Sequence, residues 1–365
     1  MNDKKGPLFH VARRPHMVWY KAWGIRAIAL ILALIACAVI TTLLTGLNPL
    51  DVYATMIKGN LSTPRRVWVL LQELSILLCI SLGLAPAFKM KFWNIGGEGQ
   101  VLVGCLATGA VMILLGDKVP GPVLMILMIV VSLAAGALWG AIPAFFKAKY
   151  NTNETLFTLM MNYVGTQLMA YFIIVWEVPK GSGKVGIINQ ASEAGWFPMI
   201  GHNKYLLNIL IVAAVTVFMY IYMNYTKHGY EIAVVGESQN TARYVGINVK
   251  KVIIRTMCLS GAICGLTGLL LVAGTNHTIT TSLAGGRGFT AVMVAWMAKF
   301  SPIGMIFTSF LIAFLSKGAT EISTMFGLNQ SFADILTGII IFFIIGSEFF
   351  INYQIRRRSD GEKEA

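Results

Sequence analysis

The sequence predicts an all-α, polytopic membrane protein with about ten transmembrane helices in an inverted five-plus-five repeat, some of them broken. Three observations lead there. Apolar runs near twenty residues recur along the 365-residue chain, which is 56% hydrophobic and only 12% charged. With a mean hydropathy of +0.70, a soluble domain would expose too much apolar surface. The cations sit in short loops between these runs. A net charge of +13 therefore reads as orientation in a membrane, with most Lys and Arg on the inner side, and not as nucleic-acid binding. Finally, two polar breaks share one pattern, Gly96-Gly97-Glu98-Gly99 and Gly285-Gly286-Arg287-Gly288. Each runs into an apolar helix, and the two helices are expected to point in opposite directions.

Taken in order, residues 1–23 form a basic cytoplasmic segment and 24–47 the first span. Leu34-Ile35-Ala36-Cys37 resembles a lipoprotein cleavage box, but the apolar run continues through Leu47 and reads as a span. Asn48-Pro49 ends it, and 51–66 form an outer loop with an amphipathic turn. The second span, 67–88, returns the chain to the inner side at Lys89 and Lys91. The third follows the first break and stops near Gly116, before a tight outer turn at 117–122. The fourth, 123–146, carries Gly136 and Gly140 at a spacing that lets helices approach closely. The fifth begins near Thr152. Residues 178–204 form the longest outer segment, and 205–225 the sixth span. A polar inner stretch, 226–251, precedes the seventh span, 252–274, which holds Gly261, Gly265 and Gly268. After a Thr-rich stretch, the eighth span starts at the second break and ends at Lys299. A re-entrant loop over 275–298 is the alternative. The ninth and tenth spans are 303–320 and 332–350, and 351–365 form a cytoplasmic tail. The transmembrane domain is thus 24–350, with approximate repeats 24–203 and 204–350.

Short glycine-interrupted apolar segments at corresponding places in two halves point to a transport site. Exposed backbone at a break must find partners, because lipid offers none. An acid at a helix centre costs about 2.5–3.5 kcal/mol on insertion scales. Asn94, Glu98 and Gln100 are therefore candidates for lining a path and hydrogen-bonding a polar solute. The alternative is that the glycines let helices cross and Glu98 pairs with Lys89, Lys91 or Arg287. Glu154, Thr158 and Asn162 recur at steps of four and form a polar stripe. The stripe faces an aqueous path or acts as interhelical glue, worth about 0.6 kcal/mol per group. Arg287 and Phe289 open the eighth span and meet a substrate or, for Arg287, an acid. In 226–251, Ser238 is placed to cap a short helix of about 239–245 ended by Gly246. A capped inner helix between spans suits docking onto another protein.

Several enzyme-like patterns fail. Gly181-Ser182-Gly183-Lys184 is half a P-loop, but Val185 follows the lysine. Neither break follows a strand, so dinucleotide binding is excluded. The five His are scattered, and the five Cys form no CxxC pair. No metal site and no nucleotide site of the chain's own are expected.

Four stretches in this order carry a resemblance: Asn94 to Gln100; Asn153-Glu154 with Asn162-Tyr163; Gly236 to Asn240 with Ala242 to Ile247; and Gly285 to Phe289. Together they resemble the permease subunit of bacterial ABC importers of the branched-chain amino acid/ribose class, closest to the nucleoside (basic-membrane-protein-associated) branch. The resemblance covers roughly residues 25–350. It implies a cell-membrane protein that forms the path for a nucleoside beside a second, related permease. It also implies an extracytoplasmic substrate-binding lipoprotein and a cytoplasmic ABC ATPase, which carries ATP and Mg; this chain itself is neither an enzyme nor a cofactor holder. The ATPase would push on Gly236, Asn240, Ala242, Arg243, Gly246 and Ile247. A ribose-type sugar or a branched-chain amino acid is the runner-up solute. Outside this class stand an ion-coupled transporter using Glu98 or Glu154, and a membrane scaffold or channel.

Overall fold

A computed structural model describes residues 9–14, 17–201 and 203–357. Thirteen α-helices dominate them: α1 (Trp19–Thr45), α2 (Pro49–Leu61), α3 (Pro64–Lys89), α4 (Gly97–Leu115), α5 (Gly121–Tyr150), α6 (Glu154–Trp176), α7 (Leu206–Tyr225), α8 (Lys227–Glu237), α9 (Gln239–Tyr244), α10 (Val249–Leu271), α11 (Arg287–Met297), α12 (Pro302–Met325) and α13 (Gln330–Asn352). A π-helical turn, Val272–Asn276, extends α10. Two short strands, β1 (Phe9–Arg13) and β2 (Tyr353–Arg357), complete the elements among the described residues.

Local signals in the sequence set many of these boundaries. Asn153 caps α6 by accepting from the Leu156 amide at 3.1 Å, and Asn248 caps α10 from Lys251 at 3.1 Å. Thr226 and Ser238 do the same for α8 and α9. Asn151 closes α5 in the left-handed conformation, φ 51°. The outer loop expected at 51–66 is mostly helical, because Asn48 caps it and Pro49 takes the first helical position, where its missing N–H costs nothing.

Among the described residues, nine helices are long and apolar enough to cross a membrane. The count differs from ten at one place. The eighth expected span is an 11-residue helix, α11, about 16 Å long at 1.5 Å per residue, against about 30 Å of hydrocarbon. Gly285 and Gly286 both take positive φ, 60° and 73°, so the chain before Arg287 is turned out of the helix.

The chain divides into two compact units, residues 64–314 and residues 1–63 with 315–365. In the second, β1 pairs antiparallel with β2, Phe9 opposite Arg357 and Arg13 opposite Tyr353. There α1 packs along α13, joined by Arg26 and Glu348 at 2.6 Å. In the first, α10 is the central post, packed on α3, α4 and α5. Its glycines make this possible: a Cβ on Gly261 would land on the Gly136 carbonyl of α5, and one on Gly268 would land on the backbone of α4.

Candidate functional site

The first break lies between α3 and α4, with Asn94 wholly buried. Its side chain organises the turn. Oδ1 accepts from the Gly96 amide at 3.0 Å and from Gln100 Nε2 at 3.4 Å, while Nδ2 donates to Ser260 Oγ on α10 at 3.1 Å. The stripe on α6 closes over the same backbone. Thr158 Oγ1 accepts from the Ile95 amide at 3.2 Å. Asn162 Nδ2 donates to the Ile95 carbonyl at 2.9 Å, and its Oδ1 accepts from Gly99 at 2.8 Å. Freed backbone groups thus find protein partners, as a bilayer requires. Glu154 stands apart from this clamp and pairs with Lys147 at 2.8 Å.

The two glycine-rich breaks meet directly. Glu98 Oε1 accepts from the Gly286 amide and Oε2 from the Gly288 amide, both at 2.8 Å. The acid therefore caps the N-terminus of α11, where a negative charge also suits the helix dipole. A cation was the partner expected for Glu98 if it served packing; backbone amides hold it instead. Arg287 turns to another acid and forms a bidentate pair with Glu73 of α3, its shortest contact 2.8 Å. Gly288 sits so close that a Cβ there would fall on the Glu98 backbone. Phe289, one residue on, is exposed.

The segment that carries the second break runs from one end of this unit to the other. At its start, the His277 carbonyl accepts from Ile188 at 2.7 Å, and the His277 ring stacks on Trp196 with centroids 3.9 Å apart. Both partners belong to the expected outer segment 178–204. At its far end, Trp296 and Phe300 meet Phe88, one residue before Lys89 at the expected inner end of α3, with centroids 6.0 and 6.3 Å apart. Residues 277–297 thus span the unit as an irregular half followed by a helical half.

Beside the Glu73–Arg287 pair is a cavity of about 430 Å³, walled by α3, the start of α7, the end of α10 and residues 275–283. Polar side chains predominate in it: Gln72, Glu73, Thr275, Asn276, Thr280 and Ser282. Gln72 did not stand out in the sequence; its signal was a Gln-Glu pair inside the apolar helix α3.

In the expected outer segment, the P-loop-like fragment holds a carboxylate of its own chain. Glu177 accepts from the Gly181 amide at 2.7 Å and from the Gly183 amide at 2.8 Å. These two bonds hold the Glu177 carboxyl below its ordinary value of 4.5. Because the folded value is the lower one, the turn's support is complete above pH 4.5 and fades as pH falls through the depressed value. Protection of the Gly181 and Gly183 amides, taken relative to their intrinsic exchange rates at each pH, is expected at neutral pH and is lost in strong acid. Equal protection in Glu177→Gln at neutral pH would contradict this.

The stretch 226–251 forms α8, α9 and the first residues of α10. Gly236 packs where a Cβ would strike the Lys89 carbonyl, Ala242 is buried, and the Ile247 amide returns to the Ala242 carbonyl at 2.9 Å. Asn240 and Arg243 lie on exposed positions of α9. Tyr244 is 93% exposed, with Val245 exposed beside it, and Gly246 turns the chain at φ 81°.

The long apolar helices, the two broken segments joined through one acid and the polar cavity beside the joint agree with a multi-pass permease. Residues 68–345 match the family described as "Branched-chain amino acid transport system / permease component", and the chain belongs to that family. It is 28% identical to a glucose ABC transporter permease protein of Haloferax volcanii, over 92% of each chain. It is 29% identical to a guanosine ABC transporter permease protein of Bacillus subtilis, over 88% of this chain and 92% of that one. A nucleoside ABC transporter permease protein of Lactococcus lactis is also 29% identical, over 82% of this chain and 84% of its own length.

Proposed function

We propose that this chain is the membrane permease subunit of an ATP-driven importer and forms part of the path for a nucleoside. The observation that carries the reading is the family match across both breaks, together with the joint between them at Glu98. Asn94, Thr158 and Asn162 then serve as the frame that holds the first break open, because their polar atoms are spent largely on the protein; Gln100 adds one bond to Asn94 at 3.4 Å and keeps its amide oxygen free. Glu98 and Arg287 join the second break to that frame, and Phe289 is left facing outward for a solute or a neighbouring subunit. ATP and Mg belong on a separate cytoplasmic ATPase, with a second, related permease and an extracytoplasmic binding lipoprotein completing the assembly. Relatives named for guanosine and nucleoside support a nucleoside solute. The relative named for glucose supports a sugar as the second reading.

Cytoplasmic termini remain part of the proposal. The antiparallel pairing of β1 with β2 supports an even number of crossings between them. Among the described residues nine helices are long and apolar enough to cross, so in this reading residues 277–297 serve as a tenth crossing, half loop and half helix, as irregular backbone is tolerated where protein or a cavity surrounds it.

The coupling role rests on α8 and α9, whose exposed Tyr244 and Val245 present an apolar contact. Arg243→Glu combined with Gly246→Pro is expected to abolish uptake and leave insertion intact. Proline cannot adopt φ 81° and removes the Gly246 amide that bonds the Arg243 carbonyl at 3.1 Å. Normal uptake by that variant would remove the coupling assignment. The whole reading is tested by gentle purification of the tagged chain from its native membrane. A P-loop ATPase and a second polytopic permease should accompany it; a chain that emerges alone would contradict the proposal.

A further inference from the structure

Gln72 presents an anomaly. It lines the 430 Å³ cavity and is 4% exposed, yet neither its amide nitrogen nor its amide oxygen has a hydrogen-bond partner within the protein. A buried polar group left unpaired is costly, and Gln72 leaves two such atoms unmet in a helix otherwise rich in leucine. Its neighbours are not in the same position. Glu73 and Arg287 satisfy each other, Asn276 Nδ2 donates to the Leu271 carbonyl at 3.2 Å, and Thr275 bonds back to α10. Within the cavity wall, the open hydrogen-bonding capacity is therefore concentrated at Gln72, with the exposed hydroxyls of Thr280 and Ser282 opposite on the irregular half of the crossing.

We infer that this cavity is a solute-binding station of the permease, in which the Gln72 amide pairs with the edge of a nucleobase. The inference rests on the nucleoside reading above and deepens it. An amide offers a donor and an acceptor side by side, and a nucleobase edge offers the complementary pair; glutamine reads adenine this way in the major groove of DNA. The station suits a neutral solute, because the one acid and the arginine in its wall are already paired and Lys204 at its rim is exposed to solvent. Its volume falls within the range of roughly 300–1,000 Å³ usual for small-molecule sites. Thr280 and Ser282 are placed for the sugar hydroxyls. A joint between the station and the second break follows from connectivity: Arg287, which closes the cavity through Glu73, lies between the two glycines that Glu98 holds.

The test is uptake of radiolabelled guanosine by the complete importer in proteoliposomes, with wild type compared against Gln72→Leu. Leucine replaces an unpaired amide by an apolar group of similar size, so the variant is expected to insert and assemble normally. Its kcat/KM for guanosine is expected to fall at least tenfold. The double variant Thr280→Val/Ser282→Ala, on the exposed side of the cavity, is expected to lower it several-fold through KM. Gln72→Leu that moves guanosine within twofold of wild type would overturn the assignment while leaving the importer reading in place. A wild-type importer that moves glucose and no guanosine would overturn the nucleoside reading, and the base-edge assignment with it.

Discussion

Alanine in place of Glu98 is expected to reduce uptake by at least about a hundredfold while the chain still inserts. The carboxylate is the acceptor for two amides at the start of α11, Gly286 and Gly288, each at 2.8 Å. Hydrogen bonds to a charged group contribute about 1.5–3 kcal/mol each, and losing both strands two backbone donors where lipid supplies no substitute. A loss of roughly 3–6 kcal/mol at the joint exceeds what two decades of rate require at about 1.4 kcal/mol per decade. Insertion survives because it depends on the long apolar helices, which the substitution does not touch. Glu98→Gln keeps one acceptor oxygen but turns an amide N–H toward the other donor, so an intermediate loss is expected. Uptake by Glu98→Ala within a few-fold of wild type would show that the two breaks do not need this joint.

Valine in place of Gly261 is expected to act earlier, on folding itself. Its Cβ would fall on the Gly136 carbonyl and lie 2.8 Å from the Gly136 carbonyl carbon. Backbone cannot rotate away as a side chain can, so α5 and α10 must separate. Overpacking of even a pliable core costs about 1–3 kcal/mol, and this contact sits on the post that carries α3, α4 and α5. Size-exclusion chromatography of the detergent-solubilised fluorescent fusion should show aggregate in place of a monodisperse peak. Gly338→Ala, where nothing lies within 4 Å of the added carbon, is the matched control and should elute as wild type does. A monodisperse Gly261→Val protein would mean that the helices are not held this closely.

Much of the fold was legible because membrane helices advertise themselves by length and hydropathy, and because capping residues such as Asn153, Ser238 and Asn248 carry their chemistry in the side chain. Close packing was likewise visible in the spacing of Gly136, Gly261, Gly265 and Gly268. The eighth span starts at the second break as expected, but its helix is only 11 residues long; its shortness was hidden because hydropathy does not show that the stretch before it, where Leu283 and Ala284 are buried as loop, is irregular. The partner of Glu98 was hidden for a related reason. Backbone amides are donors at every position, so no residue type marks the pair that a fold will bring to a carboxylate. Asn94 was found in the first break and Asn162 in the polar stripe of the fifth span, but only geometry shows that their amides are occupied by the chain. For Gln72 the reverse holds, since an unpaired amide becomes visible only once all its neighbours are placed. The pairing of β1 with β2 joins segments at opposite ends of the chain, a distance over which local pattern carries no information.

The most direct measurement is guanosine uptake by the reconstituted assembly, in proteoliposomes loaded with ATP and then in ones without it, with ion gradients dissipated by ionophores throughout. The account predicts accumulation that requires ATP and the binding protein and that ignores the ionophores. Accumulation that persists without ATP and collapses with the gradients would contradict it, and would turn Glu98 and Glu154 from joint and ion pair into candidate sites for a coupling ion.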